Sequence, residues 1–461
     1  MSGFFPDVEI PPPFAHQVIS TAKHLETDEL YDASDPGTGK TRSCLDAIAS
    51  RNAGKTLVLA PKSILVPSWQ EDAKTFTPEL RTVVANANNR AKAFNTDADV
   101  YITNNDAVSW LSKNPHVLKG FSTIIGDEFT AYKHRTSERS KALLKLMKNF
   151  QFRVGMSGTP NPNSVTELWH QILLLDGGER LGTNFWRFRA SVCESIQTGP
   201  GSAMVKWVDK EGADEAIASL LDDMTIRHKF EECTDIPENT IRTVKFELSK
   251  KHRKLYDTLK NHAVLELKNG DLSAVNRAAL TTKLLQAASG SIYSDDGDAL
   301  SLADERYELV IELIKQRPQS VVAFNWKHQR DKLTKFATKA GITYGIIDGE
   351  VSQQDRTQVV KDFQAGKLQV VFAQPMSASH GLTLTRGTAT IWTSPIYDAE
   401  RFKQFNHRIY RTGQTQRTET ILISASDTIE QRVYDILIGK VSKMVGLLDL
   451  IELNFKENMA A

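Results

Sequence analysis

Residues 34–41, SDPGTGKT, decide how the chain is read. They follow a β-rich run, ELYDA (29–33), and precede a helical pattern, RSCLDAIA (42–49). Strand, glycine-rich loop and helix, in that order, form the setting of a phosphate-binding loop. Glycines there let backbone N–H groups close around phosphate oxygens. Pro36, Gly37, Thr38 and Gly39 would form the cradle, Lys40 would reach the β- and γ-phosphates, and the Thr41 hydroxyl would ligate Mg2+. The first position is Ser34, where the strict pattern has glycine. The bland alternative is a glycine-rich turn ahead of a helix, and GTGKT in this setting argues against it.

Outward from the loop, short β-rich runs alternate with helical patterns, which predicts parallel sheets covered by helices. The first half carries ELYDA (29–33), TLVLA (56–60), DVYIT (99–103), STIIG (122–126) and FRVGM (152–156). The second half carries SVVAF (320–324), TYGII (343–347), QVVFA (369–373), ATIW (389–392) and ETILI (419–423). Two such sets predict two α/β domains, here divided as 1–232 and 233–461. Helical insertions are expected at about 165–225 and 245–300. ELWHQILLLDGG reads as a helix with a glycine stop, and the second insertion as a helical pair broken at Asn269-Gly270. HKFEECTDIPENT (228–240), charged and proline-containing, reads as the interdomain linker. The C-terminal TIEQRVYDILIGKVSKMVGLLDLIEL is strongly amphipathic and is expected to pack on a domain.

Two further stretches sit at strand ends, where open α/β sheets bind ligands. STIIGDEF (122–129) ends in two carboxylates. In a phosphate-loop fold Asp127 would hold Mg2+ through water and Glu128 would polarise the attacking water. GMSGTP (155–160) closes the next strand, and Ser157 and Thr159 offer small hydroxyls toward the γ-phosphate side. QFNHRIYRTGQ (404–414) places Arg408 and Arg411 one helical turn apart, so on a helix they share a face. They read either as a solvated basic helix end or as two guanidiniums aimed at one anion.

Bulk properties narrow the class. The net charge is +1 over 461 residues, so a nucleic-acid site must be a local groove, not a global basic field. Cys44, Cys193 and Cys233 are far apart in the sequence, which disfavours a disulfide framework or zinc site and fits a reducing cytosol. No apolar run is long enough for a transmembrane helix, and the N-terminus lacks the pattern of a secretory signal.

The ordered motifs resemble those of superfamily II helicases, and more closely the Swi/Snf-like, remodeller-type translocases. APKSILVPSWQED is similar to that branch's P-K-S-L…W…E stretch. GTPNPNSVTELW matches its G-T-P…N…E-L-W pattern, and MTIRHKFEECTDIP (224–237) resembles its basic linker. IIDGEVSQQDRTQVVKDF (346–363) and QFNHRIYRTGQ resemble its second-half motifs. The resemblance runs from about Phe14 to Val445, and its specificity lies in the order of the motifs. It implies two RecA-like parallel-sheet domains in tandem with helical insertions, and an ATP- and Mg2+-dependent motor on duplex, forked or four-way DNA.

The resemblance also implies site residues. Arg411 would be an arginine finger and Arg408 would face the triphosphate. Gln17 in FAHQ (14–17) would read adenine, and Gly381 in SASHGLTLT (377–385) would keep the phosphate-near glycine. DNA contacts would come from Lys62, Ser63, Asn104, Asn105 and Lys133 in the first domain, and from Asn325, Trp326, Ser377 and Thr383 in the second. Trp326 also reads as core. The chain departs from the family at Thr130, where a histidine is usual, and at Tyr410 between the arginines. The resemblance points to a compact phage or bacterial member, a cytoplasmic monomer acting in DNA replication, recombination or repair by branch migration or fork remodelling. Three other readings stay open: an RNA-duplex helicase, a motor subunit of a restriction system, and an ATP-dependent clamp without turnover.

Overall fold

The computed structural model describes residues 10–51, 53–161, 163–198, 204–233, 237–268, 274–293, 299–378, 382–411 and 413–442. These fall into two compact units, one of Met1–Thr234 together with Ser442 and one of Asp235–Val441.

The first unit holds β1 (Glu29–Asp32), β2 (Lys55–Ala60), β3 (Thr82–Ala85), β4 (Val100–Asn104), β5 (Phe121–Asp127), β6 (Phe152–Met156), β7 (Cys193–Gln197), β8 (Val205–Asp209) and β9 (Thr225–Ile226). Seven of them form one sheet in the order β3-β4-β2-β5-β6-β1-β9, and every pairing in it is parallel. The central strands are apolar throughout because both faces are covered. In β2, Leu57 and Leu59 enter one hydrophobic cluster while Val58 and Ala60 enter the other. Helices follow from local signals. Ser137 caps Glu138–Met147 by accepting from the Ser140 amide, and that helix buries Leu143, Leu146 and Met147 on one face. The helix Thr166–Asp176 ends where Gly177 takes a left-handed turn.

The second unit holds β10 (Asn239–Phe246), β11 (Ser291–Tyr293), β12 (Ala299–Ser301), β13 (Ser320–Ala323), β14 (Tyr344–Ile347), β15 (Val370–Ala373), β16 (Ala389–Trp392) and β17 (Thr418–Ala425). Its six-stranded sheet runs β10-β17-β16-β13-β15-β14, again all parallel. Its core buries Val322, Phe324, Phe372, Ile391 and Ile421 under the helices Glu305–Lys315 and Lys327–Lys339. A buried ion pair ties this unit together. Arg306 Nη2 lies 2.8 and 2.7 Å from the two carboxylate oxygens of Glu430, and Glu430 also accepts from the Ala425 amide at 2.8 Å.

All ten expected strands are present, and the architecture is two RecA-like parallel-sheet domains. The structure adds local elements to these expectations. The two insertions hold strands beside their helices: β7 and β8 pair antiparallel beyond the helix Phe185–Val192, and β11 and β12 pair likewise. The division between the two units, Thr234 to Asp235, falls within the stretch read as a linker, which also contains the short helix Phe230–Cys233 and the start of β10. β10 is an edge strand with mostly exposed side chains, so its sequence carries no apolar run. Asn269-Gly270 lies outside the described residues, between the helices Lys250–Lys268 and Ala274–Ala288. Of the C-terminal amphipathic segment, residues 429–442 are helical and bury Glu430, Val433, Tyr434 and Leu437. The remainder lies outside the described residues.

Candidate functional site

Four neighbouring strands of the first unit end in register. Ile226 pairs with Asp32, Asp32 with Met156, and Met156 with Asp127. The loops leaving these ends carry Arg227, the stretch Ser34–Thr41, Ser157–Thr159 and Glu128. Sheet order thus gathers at one edge motifs that lie far apart in the chain.

The loop 34–41 is held from three sides. Lys40 Nζ donates to the carbonyls of Ser34 at 2.6 Å and Asp35 at 3.0 Å. Gly39 has φ +82°, and a Cβ there would lie 2.1 Å from Gln17 Nε2, so glycine is required twice over. Gln17 is buried; its Nε2 donates to the Thr38 carbonyl at 3.4 Å, while its Oε1 accepts from the Phe14 amide at 3.0 Å. His16 also bonds the Thr38 carbonyl, at 2.7 Å. Pro36 packs against Gly158, where a Cβ would approach its ring to 2.7 Å, and this brings the SGTP turn onto the loop.

The third side is Arg227, from the stretch 224–237 that resembles the basic linker. Its guanidinium is buried, 3.2 Å from Asp35 Oδ1 and 3.2 Å from the Ala33 carbonyl. Asp35 also accepts from the Phe230 amide, and its own amide donates to the His228 carbonyl. The His228 amide donates to Ser34 Oγ at 3.0 Å. That bond accounts for serine at the position where the strict pattern has glycine. No periodicity announces Arg227; only the β1–β9 pairing brings it here.

Asp127 ends β5 with both oxygens engaged. Oδ2 accepts from Trp69 Nε1 at 2.9 Å and Oδ1 from the Glu128 amide at 2.9 Å. Burial raises its carboxyl above the ordinary range, opposed by the Trp69 N–H and by the charge of Lys40. Trp69, fully buried, is the tryptophan of the PSWQED stretch, and its indole N–H gives that residue a physical role the sequence did not show. Glu128 follows in a left-handed backbone conformation, φ 51°, the kind of local strain that clusters at functional sites. Asp32 is fully buried, with Oδ1 accepting from the Ser34 amide and no hydrogen-bond partner at Oδ2. Among the described residues no group of three or more His, Cys, Asp or Glu side chains could hold a metal ion. The oxygens of Thr41 and Asp127 instead suit Mg2+, which takes one or two carboxylates together with substrate phosphates.

In the second unit the helix Ala399–Asn406 stops before the arginines, so Arg408 and Arg411 lie in the following turns and not on a shared helix face. They converge nonetheless. Both Nη1 atoms donate to the Leu382 carbonyl, at 3.3 and 3.1 Å. Gln414 locks the turn by donating to the carbonyls of Thr385, Gly387 and Ile409. Gly381 lies outside the described residues.

The expected nucleic-acid contacts emerge at the same strand-end edges but differ in availability. Lys62 is exposed and Ser63 half-buried beyond β2. Asn104 accepts from Arg90 and donates to Asp106. Asn105 is buried and accepts from the Tyr132 hydroxyl at 3.0 Å, which makes it a brace for the DEFT turn and not a surface contact. Lys133 lies 3.3 Å from Glu167, both largely buried. Asn325 Nδ2 is spent on Ser394 and Pro395. Trp326 is half-buried and stacks on His328, so it is not a core residue. Ser377 and Thr383 are half-buried.

Residues 30–289 match the model of the SNF2-related domain. The chain belongs to the SNF2-related family. Residues 305–416 of this SNF2-related chain match the helicase conserved C-terminal domain, and the chain is an ATPase of the helicase class. It is 29% identical over 449 residues to protein p41 of Acyrthosiphon pisum secondary endosymbiont phage 1, covering 92% of this chain and 95% of that one. It is 23% identical to an ATP-dependent helicase of Mycoplasma genitalium, over 87% of this chain but 38% of that protein, so it spans well under half of that relative's length. A solved Sulfolobus solfataricus SWI2/SNF2 ATPase core in complex with dsDNA aligns with 99% of this chain and 98% of its own, at 18% identity and a TM-score of 0.46. Among the described residues no helix is long and apolar enough to cross a membrane.

Proposed function

We propose that this SNF2-related chain couples ATP hydrolysis to translocation on double-stranded or branched DNA. The observation that carries the catalytic part is the in-register edge Asp32–Met156–Asp127. That edge gathers the phosphate loop, the Asp-Glu pair and the SGTP turn. In this reading the backbone N–H groups of Gly37–Thr41 and the Lys40 ammonium hold the triphosphate, and Gln17 meets the adenine side. Thr41, and Asp127 through water, would hold Mg2+, which when bound would neutralise charge on the phosphate oxygens. Glu128 orients the attacking water. Arg408 and Arg411, with Gly381 nearby in sequence, stabilise the phosphoryl group in flight.

Lys62, Ser63, Asn104, Ser377 and Thr383 are the backbone contacts of this reading, with Lys133 available if its pair with Glu167 opens. Such side chains suit contact without base readout, as a motor stepping along any sequence requires. The finer reading is a monomer acting on forks and four-way junctions in replication, recombination and repair. Its ATP-binding and helicase domains span 1–232 and 233–461 in this reading.

The test is steady-state ATP hydrolysis of wild type and Arg411→Ala with no nucleic acid, single-stranded DNA, blunt duplex, a four-way junction and duplex RNA. Stimulation by duplex or junction DNA, lost in Arg411→Ala while nucleotide still binds, is the expected result. Stimulation by RNA alone would move the substrate class to duplex RNA, and no stimulation by any of them would refute the motor reading.

A further inference from the structure

Outside the ATP site, the first unit carries a stack of aromatic rings and guanidiniums. Trp186 is 56% exposed and Trp207 39% exposed, whereas Trp69, Trp169 and Trp392 are buried. Trp186 lies in the helix Phe185–Val192, started by Asn184, whose side chain accepts from the Trp186 and Arg187 amides. Trp207 lies on β8 of the hairpin that follows. The Arg189 guanidinium sits over both rings, 4.6 Å from the Trp186 centroid and 3.9 Å from that of Trp207. Arg135, from the turn after the Asp-Glu pair, sits 5.0 Å over Trp186 and 4.7 Å over Phe185.

Among the described residues, neither Arg135 nor Arg189 has a carboxylate within ion-pair distance. Beside the stack opens a cavity of about 250 Å³ lined by Lys133, His134, Arg135 and Phe185. Its one carboxylate, Glu167, is paired with Lys133. Exposed indoles interleaved with uncompensated guanidiniums, next to a basic cavity, are complementary to a flat ring attached to a phosphate.

We propose that Trp186, Trp207, Arg135 and Arg189 form a stacking platform for an unpaired nucleotide, so that the chain engages the single-stranded arm of a branched DNA. This rests on the DNA-motor reading above and adds a substrate feature to it. Every base has a π face, so the platform accepts any sequence, and the guanidiniums supply both cation–π contact and phosphate attraction.

The experiment uses the full chain and three labelled probes: an oligo-dT strand, a fork with one unpaired arm and a blunt duplex. Binding is read by fluorescence anisotropy and hydrolysis with the blunt duplex in parallel. Trp186→Ala/Trp207→Ala is expected to weaken oligo-dT and fork binding roughly ten- to a hundred-fold, with blunt-duplex-stimulated hydrolysis within about two-fold of wild type. Arg135→Gln, a milder surface change, is expected to weaken the same two probes by several-fold. Oligo-dT should quench tryptophan fluorescence in wild type and not in the double variant. Unchanged oligo-dT and fork binding, or an equal loss on blunt duplex, would overturn the platform. A wild-type chain whose hydrolysis ignores duplex DNA would overturn the motor reading instead.

Discussion

Replacing Arg227 by methionine tests whether the phosphate loop is held by a buried charge pair. Arg227 and Asp35 lie 3.2 Å apart with side chains 2% and 7% exposed. At that depth the pair is worth little against a neutral pair of the same shape, but removing one member takes this opposite charge from the other. The cost of breaking such a pair is typically ~3–5 kcal/mol. Arg227→Met should therefore destabilise the first unit by about that amount, and Asp35→Asn likewise. The double variant Arg227→Met/Asp35→Asn should lose far less than the sum, because the asparagine amide oxygen can still accept from the Phe230 amide and no charge is left unpaired.

Five of the seven tryptophans, at 69, 110, 169, 186 and 207, lie within the first unit, so urea unfolding followed by indole fluorescence reports mainly on it. With a slope of roughly 2–3 kcal/mol per molar urea, the single variants should shift that midpoint by about 1–2 M. Nucleotide binding measured alongside should weaken in the singles and largely return in the double. A single-variant loss below about 1 kcal/mol, or strict additivity of the two, would show that the pair does not hold the loop.

Other substitutions test the remaining parts. Lys40→Ala and Arg411→Ala should each abolish hydrolysis, the finger by ~10³-fold or more, with nucleotide binding kept in Arg411→Ala; calorimetric titration separates the two. Gly39→Ala should lose nucleotide binding, and adding Gln17→Ala, which clears the 2.1 Å approach, should not restore it, because the positive φ remains; full recovery would make the side chain the sole cause. Glu430→Gln should destabilise the second unit by ~3–5 kcal/mol by leaving Arg306 buried without its partner, visible as an earlier unfolding step. Burial lowers the imidazole pKa of His24 and of His328 to about 4. The unfolded chain then binds more protons than the folded one between about 6.5 and 4. Their contribution is complete above pH 6.5 and is lost as pH falls toward 4, by ~3 kcal/mol each. Thermal unfolding from pH 7.5 to 4.5 should show the fall, and His24→Gln should flatten it.

Ten strands, the phosphate loop, the Asp-Glu pair and the glycine stop after Asp176 were legible in the residues themselves. Each is written locally: a doubly covered parallel strand is an apolar run, and a phosphate loop is glycines between a strand and a helix. Edge elements were not legible. β10 carries polar side chains, and the hairpin of β7 and β8 lies outside the doubly covered sheets, so neither repeats the buried-strand pattern.

Partnerships were decided by the tertiary structure alone. Trp69 reaches Asp127 across 58 residues, Arg227 reaches Asp35 across 192, and Arg189 meets Trp207 only because a hairpin folds back on a helix. Arg408 and Arg411 look paired in the sequence through a helix that the chain does not form. They converge because turns after Asn406 bring both to one carbonyl. A hydrogen bond or a buried charge pair needs its partner within about 3 Å, and which side chains come that close is set by sheet order. Sheet order depends on which strands pair, and that information is spread over the whole chain.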